Sequence, residues 1–277
     1  MAGSGGSRSK SSNDAGGSEM SWTSNSVPSS LPDLLVWDGP VWAGNVSNVK
    51  WTVPTTVLTL PCTGSEGCAG LGYNSPASGK LRAICSAHKV DIDKHDKVIV
   101  AGFSAGHGLN DQLLQDAESR DRIAAFCSFD SYYTGPLPGI KKGYLEFAKL
   151  AAEAKRVMWS SSSSFTGSTY TDCEHAIKPL LDAIDPASAS LPFDLANFLR
   201  APTYVVQRES FVHAAFGTAY AHTEHAKMVA PIVLEHFISP AVHGGAVKSL
   251  MWTVTKAIGA VAVSVGLWKL GQKIASR

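Results

Sequence analysis

Gly102-Phe103-Ser104-Ala105-Gly106 has the form G-x-S-x-G. A serine hydroxyl becomes a useful nucleophile when a neighbouring base takes its proton. Two glycines around the serine suit a turn too sharp to hold side chains beside it. The pentapeptide follows the unbroken apolar run Lys97-Val-Ile-Val-Ala, which reads as a buried strand. It precedes Ala105 to Glu118, which reads as a helix. A turn in that setting lifts the serine oxygen above the sheet. The helix N-terminus lies close by, and its free N–H groups and dipole favour developing negative charge. Gly108 adds another small residue near the turn. The plain alternative is a tight strand-to-helix turn with no chemistry.

The elements that must position this serine alternate regularly. Val57 to Pro61 reads as a strand that ends in the glycine-rich loop Cys62-Thr-Gly-Ser-Glu-Gly-Cys-Ala-Gly. Ser78 to Lys89 follows as a helix, then the elbow strand and its helix. Ile123 to Phe129, Arg156 to Trp159 and Thr203 to Gln207 read as further strands. Ile140 to Ala154, Cys173 to Ile184 and Thr223 to Phe237 read as helices. This alternation predicts a three-layer α/β sandwich with a mainly parallel sheet. Sites in such folds lie at the carboxyl ends of the strands.

With the elbow in that order, the region 55–240 resembles the α/β-hydrolase superfamily, of the esterase/lipase kind. The resemblance implies a serine nucleophile, a histidine base and a carboxylate that orients the histidine, in the chain order Ser, Asp/Glu, His. Candidates for the base after the last strand are His213, His222, His225 and His236. His222 stands just before the long helix, where the family holds its base, and is favoured. His225, one helical turn on, is the alternate. The commonest family position for the acid follows the strand that ends here in Ser160 to Ser164, and no carboxylate stands there. Some members place the acid one strand earlier, which selects Asp130 in Ser128-Phe-Asp-Ser. Asp172 is the alternate. The serine run either lines the pocket or is a polar loop, and His107 is a pocket-wall or surface residue.

The oxyanion hole implied by the resemblance needs two backbone donors. One is the N–H of Ala105. The other is expected from the loop after the first sheet strand, at Thr63 or Gly64. The implied reaction is cleavage of a carboxylic ester or amide through an acyl-enzyme at Ser104. It needs neither metal nor cofactor, and the substrate expected is a small-molecule or lipid-like ester. A non-catalytic interaction protein with a hydrolase-like fold is the competing reading.

Composition bounds the rest. The chain has 277 residues, with 24 Lys and Arg against 23 Asp and Glu, so no global charge points to nucleic acid. Five cysteines without CxxC spacing do not read as a zinc site. No apolar stretch follows a basic N-terminus, so no signal peptide is expected and synthesis is taken as cytoplasmic. Residues 1–31 are rich in serine and glycine and read as a disordered arm. Residues 32–245 form the expected hydrolase-like domain. Residues 246–277 read as an apolar, basic C-terminal helix. Within it, 250–270 is apolar on all sides, with Trp252 and Trp268 near its ends and Lys256 inside. That stretch suits contact with a membrane or with another subunit.

Overall fold

The computed structural model describes residues 31–39, 46, 48–61, 80–134, 139–164 and 172–244. Among the described residues, eight strands form one sheet: β1 (Asp33–Gly39), β2 (Thr55–Pro61), β3 (Val98–Phe103), β4 (Ile123–Phe129), β5 (Val157–Ser162), β6 (Ala187–Ala189), β7 (Tyr204–Arg208) and β8 (Phe211–Ala215). Their order is β2-β1-β3-β4-β5-β8-β7-β6. The strands from β2 through β8 in that order pair in parallel, and β7 pairs antiparallel with both β8 and β6. The fold is therefore α/β with a mainly parallel sheet.

The central strands are apolar along their length because both faces are covered. On one face Val36, Val100, Phe126 and Met158 pack with Leu81, Leu113, Phe147 and Leu180. Those partners come from α1 (Lys80–Ala87), α2 (His107–Gln115), α4 (Lys142–Ala152) and α6 (Lys178–Ile184). On the other face Trp37, Ala101, Cys127 and Trp159 pack with Val229, Val233 and Phe237. After the short α7 (Phe193–Ala196), these belong to the closing helix α8, residues 222–242. It is α-helical over His222–Glu224, Ala230–Val233 and Ser239–Val242 and π-helical over His225–Val229 and Leu234–Ile238. Pro231 and Pro240 have no N–H to give back to Lys227 and His236, four residues earlier, and both of those sit in the widened turns.

Four expectations change. The first sheet strand is β1, not the run at Val57. Its apolar Leu34 to Trp37 lies between β2 and the elbow strand β3. The strand at Thr203 runs antiparallel, and the segment after it is another strand, β8, which carries His213. The helix after the elbow is broken at Asp116. Its carboxylate accepts the N–H and hydroxyl of Ser119 and caps α3 (Ala117–Arg122). The helix from Cys173 is similarly split at Ile177 into α5 (Cys173–Ala176) and α6.

All described residues fall in the unit that begins at Leu31. Residues 1–30 and 250–270 lie outside the described residues, so the readings of an arm and an apolar C-terminal helix rest on sequence. Among the described residues, no helix is long and apolar enough to cross a membrane. Cys85, Cys127 and Cys173 are buried free thiols.

Candidate active site

β3 ends at Phe103, whose backbone is extended, and Ser104 turns at φ +51° into a single 3-10 turn, Ser104–Gly106, that opens α2. A left-handed serine is a strained conformation held by its surroundings. The two glycines have separate steric causes. A Cβ on Gly102 would lie 1.8 Å from Asn110 Nδ2, and one on Gly106 would lie 2.6 Å from the main-chain oxygen of Asp38. The first position is closed by α2 folding back on β3, the second by β1 passing beside the turn. The Ser131 hydroxyl donates to the Ser104 carbonyl at 3.0 Å and ties the turn to the end of β4.

β4 ends in the same way. Asp130 leaves the strand at φ +46°, and its N–H donates to the Ser161 carbonyl on β5. His222 opens α8, where the Glu224 carboxylate accepts the Ala221 N–H and fixes the entry to the helix. These three elements bring Ser104, His222 and Asp130 into one line. Ser104 Oγ is 2.9 Å from His222 Nε2, and His222 Nδ1 is 2.7 Å from Asp130 Oδ2. With the carboxylate ionised, Nδ1 carries the imidazole proton and Nε2 accepts from the serine hydroxyl. The imidazole packs on the Phe103 ring at 4.7 Å between centroids, and the Tyr133 hydroxyl lies 3.3 Å from Nδ1.

Electrostatics keep that line charged at one end. Asp130 is 1% exposed. Burial alone would raise its pKa. The hydrogen bonds from His222 and Ser163, with the electrostatic effect of His225 and His222, outweigh that and hold the carboxyl below its ordinary range. Burial pushes the Tyr133 phenol up, so it stays protonated. Burial, with the nearby Lys141 ammonium, pushes His107 down to about 4. His107 is thus a neutral imidazole at the start of α2, packed edge-on to Tyr133.

The alternates have other partners. Asp172 caps α5 through the His175 N–H and pairs with the His175 ring at 2.7 Å. His225 is fully buried, its Nδ1 3.1 Å from Ser161 Oγ, and burial pushes it down to about 4. His213 lies in β8, 3.4 Å from Ser162 Oγ, and burial pushes it down to about 3. Both imidazoles are neutral near neutral pH. His236, half-buried on α8, stacks on Phe198. Ala105 follows Ser104 in the 3-10 turn, as expected. Thr63 and Gly64 lie outside the described residues. β1, not β2, neighbours the elbow strand, and a Cβ on Gly39 would come within 3.3 Å of Phe103 Cβ.

Sequence reading alone missed Ser163, Ser131 and Tyr133. Ser163 was visible only as one member of a serine run. Its importance depends on which strand lies beside β5, which local sequence does not carry. Among the described residues, no group of three or more His, Cys, Asp or Glu side chains could hold a metal ion. No protein-family model matches the chain, and no curated protein matches it in sequence.

Proposed function

We propose that the chain is a serine hydrolase of α/β-hydrolase type that cleaves carboxylic esters through an acyl-enzyme on Ser104. One observation carries the reading: the unbroken line from Ser104 Oγ through His222 to Asp130, at 2.9 and 2.7 Å, on a strained turn at the carboxyl end of the sheet. Ser104 Oγ attacks the substrate carbonyl carbon as its proton passes to His222 Nε2. Asp130 holds the ring by Nδ1–H and stabilises the imidazolium that forms. The carbonyl electrons move onto oxygen, where the Ala105 N–H and the N-terminus of α2 offset the charge.

Collapse of the tetrahedral intermediate expels the alcohol, which takes its proton from His222. Water then attacks the acyl-serine with His222 again as base, and the acid leaves. Thr63 and Gly64 are the sequence candidates for a second oxyanion donor. Amides are cleaved by the same groups, and ester cleavage is the lower-barrier case. The acid at the end of β4 fits those superfamily members that carry it one strand early.

The test is hydrolysis of a p-nitrophenyl ester series, from acetate to long acyl chains, by the wild type and by Ser104→Ala. Fluorophosphonate labelling of both runs alongside. Turnover and labelling that vanish in Ser104→Ala are expected. A folded wild type that neither turns over an ester nor takes the label would overturn the proposal and favour a non-catalytic role.

A further inference from the structure

The serine run at the end of β5 is buried, and its members turn to different tasks. Ser160, Ser161, Ser162 and Ser163 are each 2% exposed or less. Along β5, Met158 packs on one sheet face and Val157 and Trp159 on the other. Ser161 and Ser162 follow this alternation, one reaching His225 on α8 and the other His213 on β8. Ser163, just past the strand, gives Asp130 two bonds. Its N–H donates to Oδ1 at 2.8 Å and its hydroxyl to Oδ2 at 2.5 Å. Oδ2 is also the oxygen that holds His222.

We propose that Ser163 is a positioning residue for the hydrolysis argued above: it clamps both oxygens of Asp130 and thereby fixes the angle and basicity of His222. This rests on the serine-hydrolase reading. A carboxylate on a single bond to imidazole can rotate about its side-chain torsions and tilt the ring away from Ser104. Donors on both oxygens remove that freedom. The clamp also has an electronic effect. A donor on Oδ2 shares the charge that would otherwise act wholly on the imidazolium, so Ser163 moderates the pull of Asp130 on the His222 proton. Other polar or titratable groups around Asp130 are His225 from α8, Cys173 and Glu174 from α5 and Tyr133 from the loop after β4. Ser163 alone among these gives it both a backbone and a side-chain donor.

The experiment measures steady-state kinetics on a p-nitrophenyl ester across pH for wild type, Ser163→Ala, Ser163→Val and Ser163→Thr. Each protein is checked for folding by circular dichroism and melting. Loss of one hydrogen bond to a buried charge predicts a kcat lower by about 10- to 100-fold in Ala and Val, with KM nearly unchanged. The acidic limb of kcat/KM moves to higher pH in both. Thr, which keeps the hydroxyl, restores kcat to within a few-fold. Thr and Val are nearly isosteric, so a difference between them reports the hydroxyl and not the volume. Wild-type kcat in Ala and Val overturns the proposal while leaving the hydrolase reading intact. So does a loss of kcat with an unmoved acidic limb, or a Thr variant no better than Val. A wild type without esterase activity or fluorophosphonate labelling overturns both.

Discussion

Two aspartate–histidine pairs stand at opposite ends of the same sheet. At the carboxyl end, Asp130 holds His222. At the amino end, Asp33, the first residue of β1, holds His243 Nε2 just past the end of α8. The hydrogen-bond lengths are both 2.7 Å, and each aspartate side chain is 1% exposed. Seven residues of β1 place the two ends about 20 Å apart. By distance and burial of the acid the pairs are twins. They differ in what meets the histidine. His222 has the Ser104 hydroxyl on its second ring nitrogen, Phe103 against its face and Tyr133 at its edge. Among the described residues, His243 has no nucleophile, and its side chain is 27% exposed. It closes a seam of polar residues spaced four apart on α8. Glu235 accepts the Lys50 N–H, Ser239 meets Thr52, and His243 meets Asp33. An Asp–His pair is thus a general device for fixing a ring. Its chemistry depends on the third group and on a strained turn that presents it.

The largest expected effects test that third group. Ser104→Ala removes the proposed nucleophile, and His222→Ala removes the proposed base. Each is expected to lower kcat/KM for a p-nitrophenyl ester by about a thousandfold or more. Residual turnover comes from binding and the oxyanion donors. A Ser104→Ala protein within tenfold of wild type would mean that the reaction runs elsewhere.

The next effect sets one pair directly against the other. Asp130→Asn keeps the shape but can offer an amide N–H to Nδ1, which favours the wrong tautomer. The expected cost is about 10³- to 10⁴-fold in kcat. Asp33→Asn makes the same atomic change at the amino end and is expected to leave kcat within about twofold. It lowers the melting temperature, since an amide that keeps its oxygen on the Lys97 N–H turns an NH2 group, not an acceptor, toward His243 Nε2. Equal losses of activity in the two variants would show that the twins are coupled across the sheet and would break the comparison.

The turn at Ser104 and the position of Asp130 at a strand end are legible from sequence because their constraints are local. Two glycines, a serine and a preceding apolar strand fall within ten residues, and Asp130 directly follows a readable strand. β1 escaped despite the apolar run Leu34 to Trp37, because a single short run with no following helical pattern gives no alternation to count. β8 escaped because His213 interrupts its apolar residues, and only the α/β packing makes a buried neutral histidine acceptable there. The tasks of Ser161, Ser162 and Ser163 required the strand order, since their partners lie 33 to 64 residues away. The amino-end pair spans 210 residues and has no local signature at all.

Acid separates the two ends by stability. His213 and His225 are buried neutral on the carboxyl half of the sheet, with pKa values pushed down by burial to about 3 and about 4. In the unfolded chain they take protons near pH 6.5, whereas in the folded protein they do not. Their stabilising contribution is therefore full above about pH 6.5 and is lost as pH falls toward 4 and 3. For His213 the loss is on the order of several kcal/mol. Melting temperature measured from pH 7 to pH 4 should fall steeply, and His213→Leu should flatten the fall. A parallel curve for His213→Leu would show that its proton is not what the fold excludes.

The smallest effect is at His243. His243→Ala removes one half-exposed ring from Asp33 and leaves that carboxylate with the Lys97 N–H and with water that can enter where the ring stood. The cost should be about 1–2 kcal/mol, or a drop of about 2–8 °C in melting temperature. Activity should stay within twofold, because the seam at Glu235 and Ser239 still holds α8 and nothing at the carboxyl end changes its partners. The informative control is His222→Ala in the same melting assay. His222 is less exposed, at 15%, yet the space it leaves opens beside Ser104, where water can reach Asp130. If stability resides in the amino-end pair and chemistry in the other, His243→Ala lowers melting at least as much as His222→Ala while leaving turnover intact. The reverse order would mean that the line from Ser104 through His222 to Asp130 also clamps the fold, and that the two pairs divide their work less cleanly than their surroundings imply.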